Sequence, residues 1–86
     1  MIKVIKFYAN WCGPCKVYGK IFDKVTAELK DIIEVENINV EEDIKGMGAK
    51  YKVSSIPFTV VIKGDTVKQE VGRLDEEKLR KFILDE

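Results

Sequence analysis

The chain has 86 residues, 45% of them hydrophobic and 35% charged, with 15 basic residues matched by 15 acidic ones. That length suits one small domain, residues 1–86, with a core of modest size. The even charge balance gives no reason to expect nucleic acid or an anionic membrane as the main partner.

The first residues, MIKVIKFY, place lysines inside an apolar run and offer no small-residue cleavage site. Neither a signal peptide nor a membrane span is expected there, and a cytoplasmic monomer is the simplest expectation. Residues 2–8 are rich in β-branched and aromatic types and predict a first strand, placed inside the sheet. From Cys15 the apolar positions Tyr18, Phe22, Val25 and Leu29 recur at helical steps, with Lys16, Lys20, Lys24 and Glu28 on other faces. Pro14 fits the first turn of that helix, where its missing N–H is harmless.

Residues 33–40 alternate apolar and polar and predict a strand with one well-buried face. A short helix is expected next, with Ile44, Met47 and Tyr51 inward, acids at its start and Lys50 and Lys52 at its end. Pro57 opens an apolar strand over 58–62, and Gly64-Asp65 predicts a hairpin into a strand over 66–71. Asp75 is a plausible N-cap for a last helix that buries Leu79, Phe82 and Ile83. The order β-α-β-α-β-β-α predicts an α/β fold, a mixed four-stranded sheet flanked by three helices, with the first connection parallel and the last antiparallel. The cysteines fall at the carboxyl end of the first strand, where open α/β sheets bind ligands.

The chain's two cysteines, Cys12 and Cys15, stand three apart at a helix start. That spacing lets the pair open and close with little backbone movement, and the helix N-terminus favours a thiolate. Cys12 is expected to be the more exposed nucleophile and Cys15 the resolving thiol beneath it, with Trp11 and Pro14 as apolar flanks for a polypeptide. A bridge over so small a loop is a weak staple. Structural zinc needs four N or S ligands, and the chain has no histidine and no second cysteine pair, so only a site shared between two chains stays open. Haem attachment needs a histidine where Lys16 stands.

The hexapeptide WCGPCK after an apolar strand resembles the active site of thioredoxins, and SSIPF around Ile56-Pro57 resembles their second landmark, a cis-proline loop facing the cysteines. Gly72 matches a further family glycine, while the family's N-terminal strand and helix have no counterpart here, which brings the length nearer to a glutaredoxin. The resemblance implies a Cys12–Cys15 redox disulfide that exchanges with protein disulfides through a mixed disulfide, with no bound cofactor. It implies electrons from an NADPH-dependent thioredoxin reductase, and disulfide-containing proteins as partners. It also implies a substrate surface made of Trp11, Gly13, Pro14, Ile56, Pro57 and Gly72, with the Ile56 backbone holding the polypeptide like an added strand.

Two residues depart from the family pattern. Thioredoxins usually carry a buried Asp where this chain has Lys6, five positions before Trp11. Lys6 is expected to snorkel outward as a surface residue; the alternative puts it beneath the pair as a charge that lowers the thiol pKa. Phe58 replaces the common Thr after the proline and is expected to enlarge the apolar rim of the site. Lys16 matches the motif and could support the thiolate, whereas Lys20 reads as a solvated helix face. Tyr8 and Tyr18 read as packing residues. Three other functions stay open: a glutathione-dependent, glutaredoxin-like reductase, which Ala9 in place of a carboxylate-binding lysine disfavours, a redox-independent accessory subunit that uses the same surface, and, least favoured, an oxidant in an exported compartment.

Overall fold

The computed structural model describes residues 1–85. Strand β1 (Ile2–Tyr8) leads into helix α1 (Gly13–Glu28) and strand β2 (Ile33–Asn39). A 3-10 turn (Val40–Glu42) and the single-turn helix α2 (Met47–Lys50) follow, and then the hairpin of β3 (Phe58–Lys63) and β4 (Thr66–Val71) and helix α3 (Glu76–Leu84). The strands lie in the order β2-β1-β3-β4, with β1 parallel to β2 and antiparallel to β3, and β3 antiparallel to β4. This is the mixed four-stranded sheet with three helices that the residue pattern predicts.

The two-residue period of β1 splits its side chains between two cores. Val4 joins Ile33, Val61, Tyr18, Phe22, Val25, Leu79 and Ile83 on the face covered by α1 and α3. Ile5 and Phe7 join Ile38, Phe58, Val60 and Tyr51 on the face covered by the α2 segment. Every hydrophobic residue of β1 from Val4 to Phe7 is fully buried, so the strand is internal on both faces. Ion pairs from Lys24 to Glu76 and from Arg80 to Glu28 tie the exposed edges of α1 and α3, and such surface pairs contribute little each.

Two local expectations are corrected. Strand β2 does not bury one face: Ile33 pairs with Ile2 and packs under α1, Ile38 pairs with Phe7 and packs on the opposite side, and Val35 is left half-exposed at the sheet edge. An odd and an even position must point to opposite faces of a pleated strand. The predicted short helix is two pieces, and Ile44 points into solvent at 98% exposure. The Asn39 side chain accepts from Glu41 N–H at the start of the 3-10 turn, and the Asp43 carboxylate accepts from Met47 and Gly48 N–H at 2.9 and 2.6 Å. Between them the chain turns through Gly46 at φ +67°, a conformation that suits glycine, and Ile44 is carried outward.

Candidate active site

Strand β1 delivers the chain to Tyr8, and a turn closed by Cys12 N–H donating to Ala9 C=O (3.2 Å) brings it to the start of α1. Cys12 is the N-cap residue itself, and its Sγ accepts the Cys15 N–H at 3.2 Å. Pro14 occupies the first turn, where a helix has no use for its N–H. The Cα atoms of Cys12 and Cys15 are 5.2 Å apart and their sulfurs are joined, a spacing inside the range disulfides accept. On opening, the same helix end presents unpaired N–H groups and the positive end of its dipole to the Cys12 sulfur, which favours its thiolate.

Around the sulfurs, Tyr8, Val40 and Ile56 pack against Ala9, Cys12 and Cys15. The Ile56–Pro57 peptide bond is cis, and the Ile56 carbonyl oxygen lies 4.0 Å from Cys12 Sγ. Pro57 is buried, and its C=O accepts from Gly72 N–H at 2.8 Å, which ties the end of β4 to the proline loop. Gly72 sits at φ +92°, a backbone angle that L side chains rarely adopt, although a Cβ there meets nothing. Trp11, 68% exposed, stands beside the pair with Gly13 and Pro14, both also exposed. The structure thus brings Trp11, Cys12, Gly13, Pro14, Cys15, Ile56, Pro57 and Gly72 to one end of the sheet.

Burial does not separate the two cysteines as expected: Cys12 is 5% exposed and Cys15 4%, because Ile56 and Val40 close over the bridge. What distinguishes them is the capping hydrogen bond, which Cys12 alone receives.

Lys6 does not snorkel outward. It is 8% exposed, and its Nζ lies 4.9 Å from the centre of the Phe22 ring and 5.4 Å from that of Tyr8. An even position on an internal strand faces α1, and the helix leaves its stem no route to the surface. Burial pushes the Lys6 ammonium below its ordinary pKa, an effect opposed by the charge of Asp23. Phe58 is likewise corrected: at 4% exposure it packs edge-on against Phe7, with centroids 6.1 Å apart, and belongs to the core rather than to the rim.

Three contributors escaped the sequence reading. Val40 closes over the cysteines. Thr59, fully buried, shares a 2.6 Å hydrogen bond with the hydroxyl of Tyr18, and desolvation there raises the tyrosine to about 12. Gly19 faces the Lys6 ammonium, which lies 3.5 Å from where a Cβ would stand. A glycine inside an amphipathic helix was the available signal, since it often marks a close approach.

Fold and site together define a class: α/β proteins that carry a CxxC pair at the start of a helix beside a cis-proline loop. Comparison with known proteins is consistent throughout. The thioredoxin family model matches residues 1–85. Thioredoxin of Bacillus subtilis is 36% identical over 78 residues, covering 90% of this chain and 74% of its own length. Thioredoxin-T of Drosophila melanogaster is 38% identical over 80 residues, covering 93% of this chain and 50% of the relative. The chain spans about half the length of the first curated relatives it matches, mitochondrial thioredoxin of Mus musculus among them. Among solved structures, a thioredoxin of Malassezia sympodialis superposes with a TM-score of 0.84 at 29% identity, over 98% of this chain and 75% of that one. The chain belongs to the thioredoxin family.

Proposed function

We propose that this protein is a thiol–disulfide oxidoreductase that reduces protein disulfides by cycling Cys12 and Cys15 between dithiol and disulfide. The observation that carries the reading is the seat of Cys12: its sulfur caps α1, accepts the Cys15 N–H and lies at bonding distance from Cys15.

In the cycle, the Cys12 thiolate attacks a substrate disulfide, a Cys12–substrate disulfide forms, and the other substrate sulfur leaves as a thiolate and takes up a proton. Cys15 then attacks Cys12 Sγ, the intramolecular bridge forms, and the second substrate sulfur leaves with its electron pair. Two electrons pass to the substrate and none to a bound cofactor. Trp11, Gly13, Pro14, Ile56, Pro57 and Gly72 supply the docking surface, supported by their position around the bridge. The family supports recharging by a thioredoxin reductase that draws on NADPH. A glutathione-dependent cycle is the competing source of electrons.

The test is reduction of insulin disulfides with NADPH and thioredoxin reductase, and separately with glutathione. Turnover with the reductase is expected, and the Cys15→Ser variant should accumulate the mixed disulfide on Cys12. Turnover with glutathione alone would reassign the electron donor. Absence of exchange with either donor, or full biological activity of the Cys12→Ser, Cys15→Ser double variant, would sink the redox reading.

A further inference from the structure

Among the described residues Lys6 is the only charged side chain that is buried, and it takes part in none of their ion pairs. Its ammonium is held instead by the ring faces of Phe22 and Tyr8. This matters for reach: a cation neutralised by a carboxylate exports little field, whereas one held by ring quadrupoles keeps its charge.

The position of that charge follows from α1. Lys6 Nζ lies 3.5 Å from the Cβ site of Gly19, and Gly19 stands one helical turn beyond Cys15. Residues four apart on a helix stack with Cβ atoms about 5–6 Å apart, so the ammonium is within roughly 9 Å of the Cys15 Cβ. A crevice of about 150 Å³, lined by Tyr8, Ala9, Asn10, Cys15 and Lys16, opens beside Cys15 and shares the Tyr8 side chain with the ammonium. It offers protons a path to water.

Other groups bear on the same space. From α1, Asp23 attracts the ammonium, and Tyr18, bonded to Thr59, is kept neutral by burial. From β1 comes Tyr8, and at the crevice mouth stands Lys16. The neighbours of Lys6 in register are uncharged, Asn37 on β2 and Thr59 on β3, and beyond Thr59 lies Glu70 of β4, whose charge acts on Tyr18.

We propose that Lys6 is a positioning residue for the dithiol: seated in the notch left by Gly19, its charge favours thiolate on the reduced pair, and on Cys15 once Cys12 is held in the mixed disulfide, and thereby makes the Cys12–Cys15 couple more oxidising. The inference rests on the exchange cycle proposed above. In the step it assists, the Cys15 proton leaves to solvent through the crevice and the thiolate attacks Cys12 Sγ of the mixed disulfide. The Cys12–Cys15 bond forms, and the substrate sulfur departs with the electron pair and is protonated by water. A unit charge roughly 9 Å away, at an effective dielectric of about 20, moves a thiol pKa by about one unit.

Thiol titration, read from the ultraviolet absorbance of the thiolate, and equilibration with glutathione test this in the full chain. Lys6→Met is expected to raise the apparent thiol pKa by about one unit and to shift the equilibrium up to about tenfold toward the disulfide. Lys6→Arg, which keeps the charge, should stay near the wild type in both. A measurement on the unaltered protein covers the case in which Lys6→Met fails to fold. Linkage is reciprocal, so the Lys6 ammonium followed by NMR should titrate about one unit higher in the reduced thiolate form than in the disulfide form. A folded Lys6→Met with unchanged thiol pKa and equilibrium, or a Lys6 that titrates alike in both redox states, overturns the inference. Thiol titration needs no substrate, so these outcomes stand apart from a failure of disulfide exchange, which would overturn the functional reading instead.

Discussion

Lys6, Tyr18 and Thr59 meet between the sheet and α1, and they are stabilised in two ways. Tyr18 and Thr59 satisfy one another, whereas Lys6 relies on ring faces. Removing the tyrosine hydroxyl strands the Thr59 hydroxyl in a fully buried site, so Tyr18→Phe is expected to cost about 1–2 kcal/mol in urea unfolding. The pH dependence has a definite sign. The folded pKa of Tyr18, about 12, exceeds its ordinary value of 10.0, so its contribution is intact below pH 10 and is lost as pH rises toward 12. Lys6 acts in the opposite sense: its folded pKa is lowered from 10.5, so it detracts from stability at neutral pH and that penalty is relieved as pH rises toward 10.5. Unfolding of Tyr18→Phe followed between pH 9 and 12 should therefore show a shallower alkaline loss than the parent protein; an equal loss would remove Tyr18 as its source. Residue type alone could not reveal this layer, because a lysine inside an apolar strand reads as an outward charge until the strand is known to be covered on both faces.

Among the elements, the segment between β2 and β3 departs furthest from its sequence pattern. Its apolar spacing suggests one helix, but competing side-chain caps at Asn39 and Asp43 divide it, since short polar side chains offer the backbone local alternatives to helix. Asp43→Ala removes both acceptors at the start of α2 and should cost about 1 kcal/mol or more, with faster amide exchange at Met47 and Gly48 and little change in β1. Ile44→Ser, at a fully solvated position, should leave the unfolding midpoint unchanged. Equal costs for the two substitutions would restore the single inward-facing helix. By contrast α1, β3, β4 and α3 follow their patterns closely, because a proline in the first turn, a glycine turn at φ +58° and an Asp75 cap bonded to Lys78 N–H each have one dominant local solution.

On the scale of the whole molecule, two cores on opposite faces of one sheet hold the fold, and the cysteine bridge lies at its end. A loop of sequence separation 3 contributes about 2 kcal/mol at most by chain entropy, so the reduced protein should keep its fold. Circular dichroism after reduction should show unchanged secondary structure and a cooperative transition, with Tm lower by about 10 °C or less. Loss of cooperativity would make the bridge a structural staple.

The residue pattern by itself determined the order of elements, the central place of β1, and the cysteine pair at the start of α1, because periodicity, turn residues and the WCGPCK spacing are local features that act through local physics. Tertiary structure alone decided that Lys6 and Phe58 lie inside, that Ile44 lies outside, that Val40 closes over the cysteines and that Gly19 makes room for an ammonium. Burial depends on what packs against a residue from distant parts of the chain, and here β1 brings Lys6 under α1 only once β2 and β3 have enclosed it on either side.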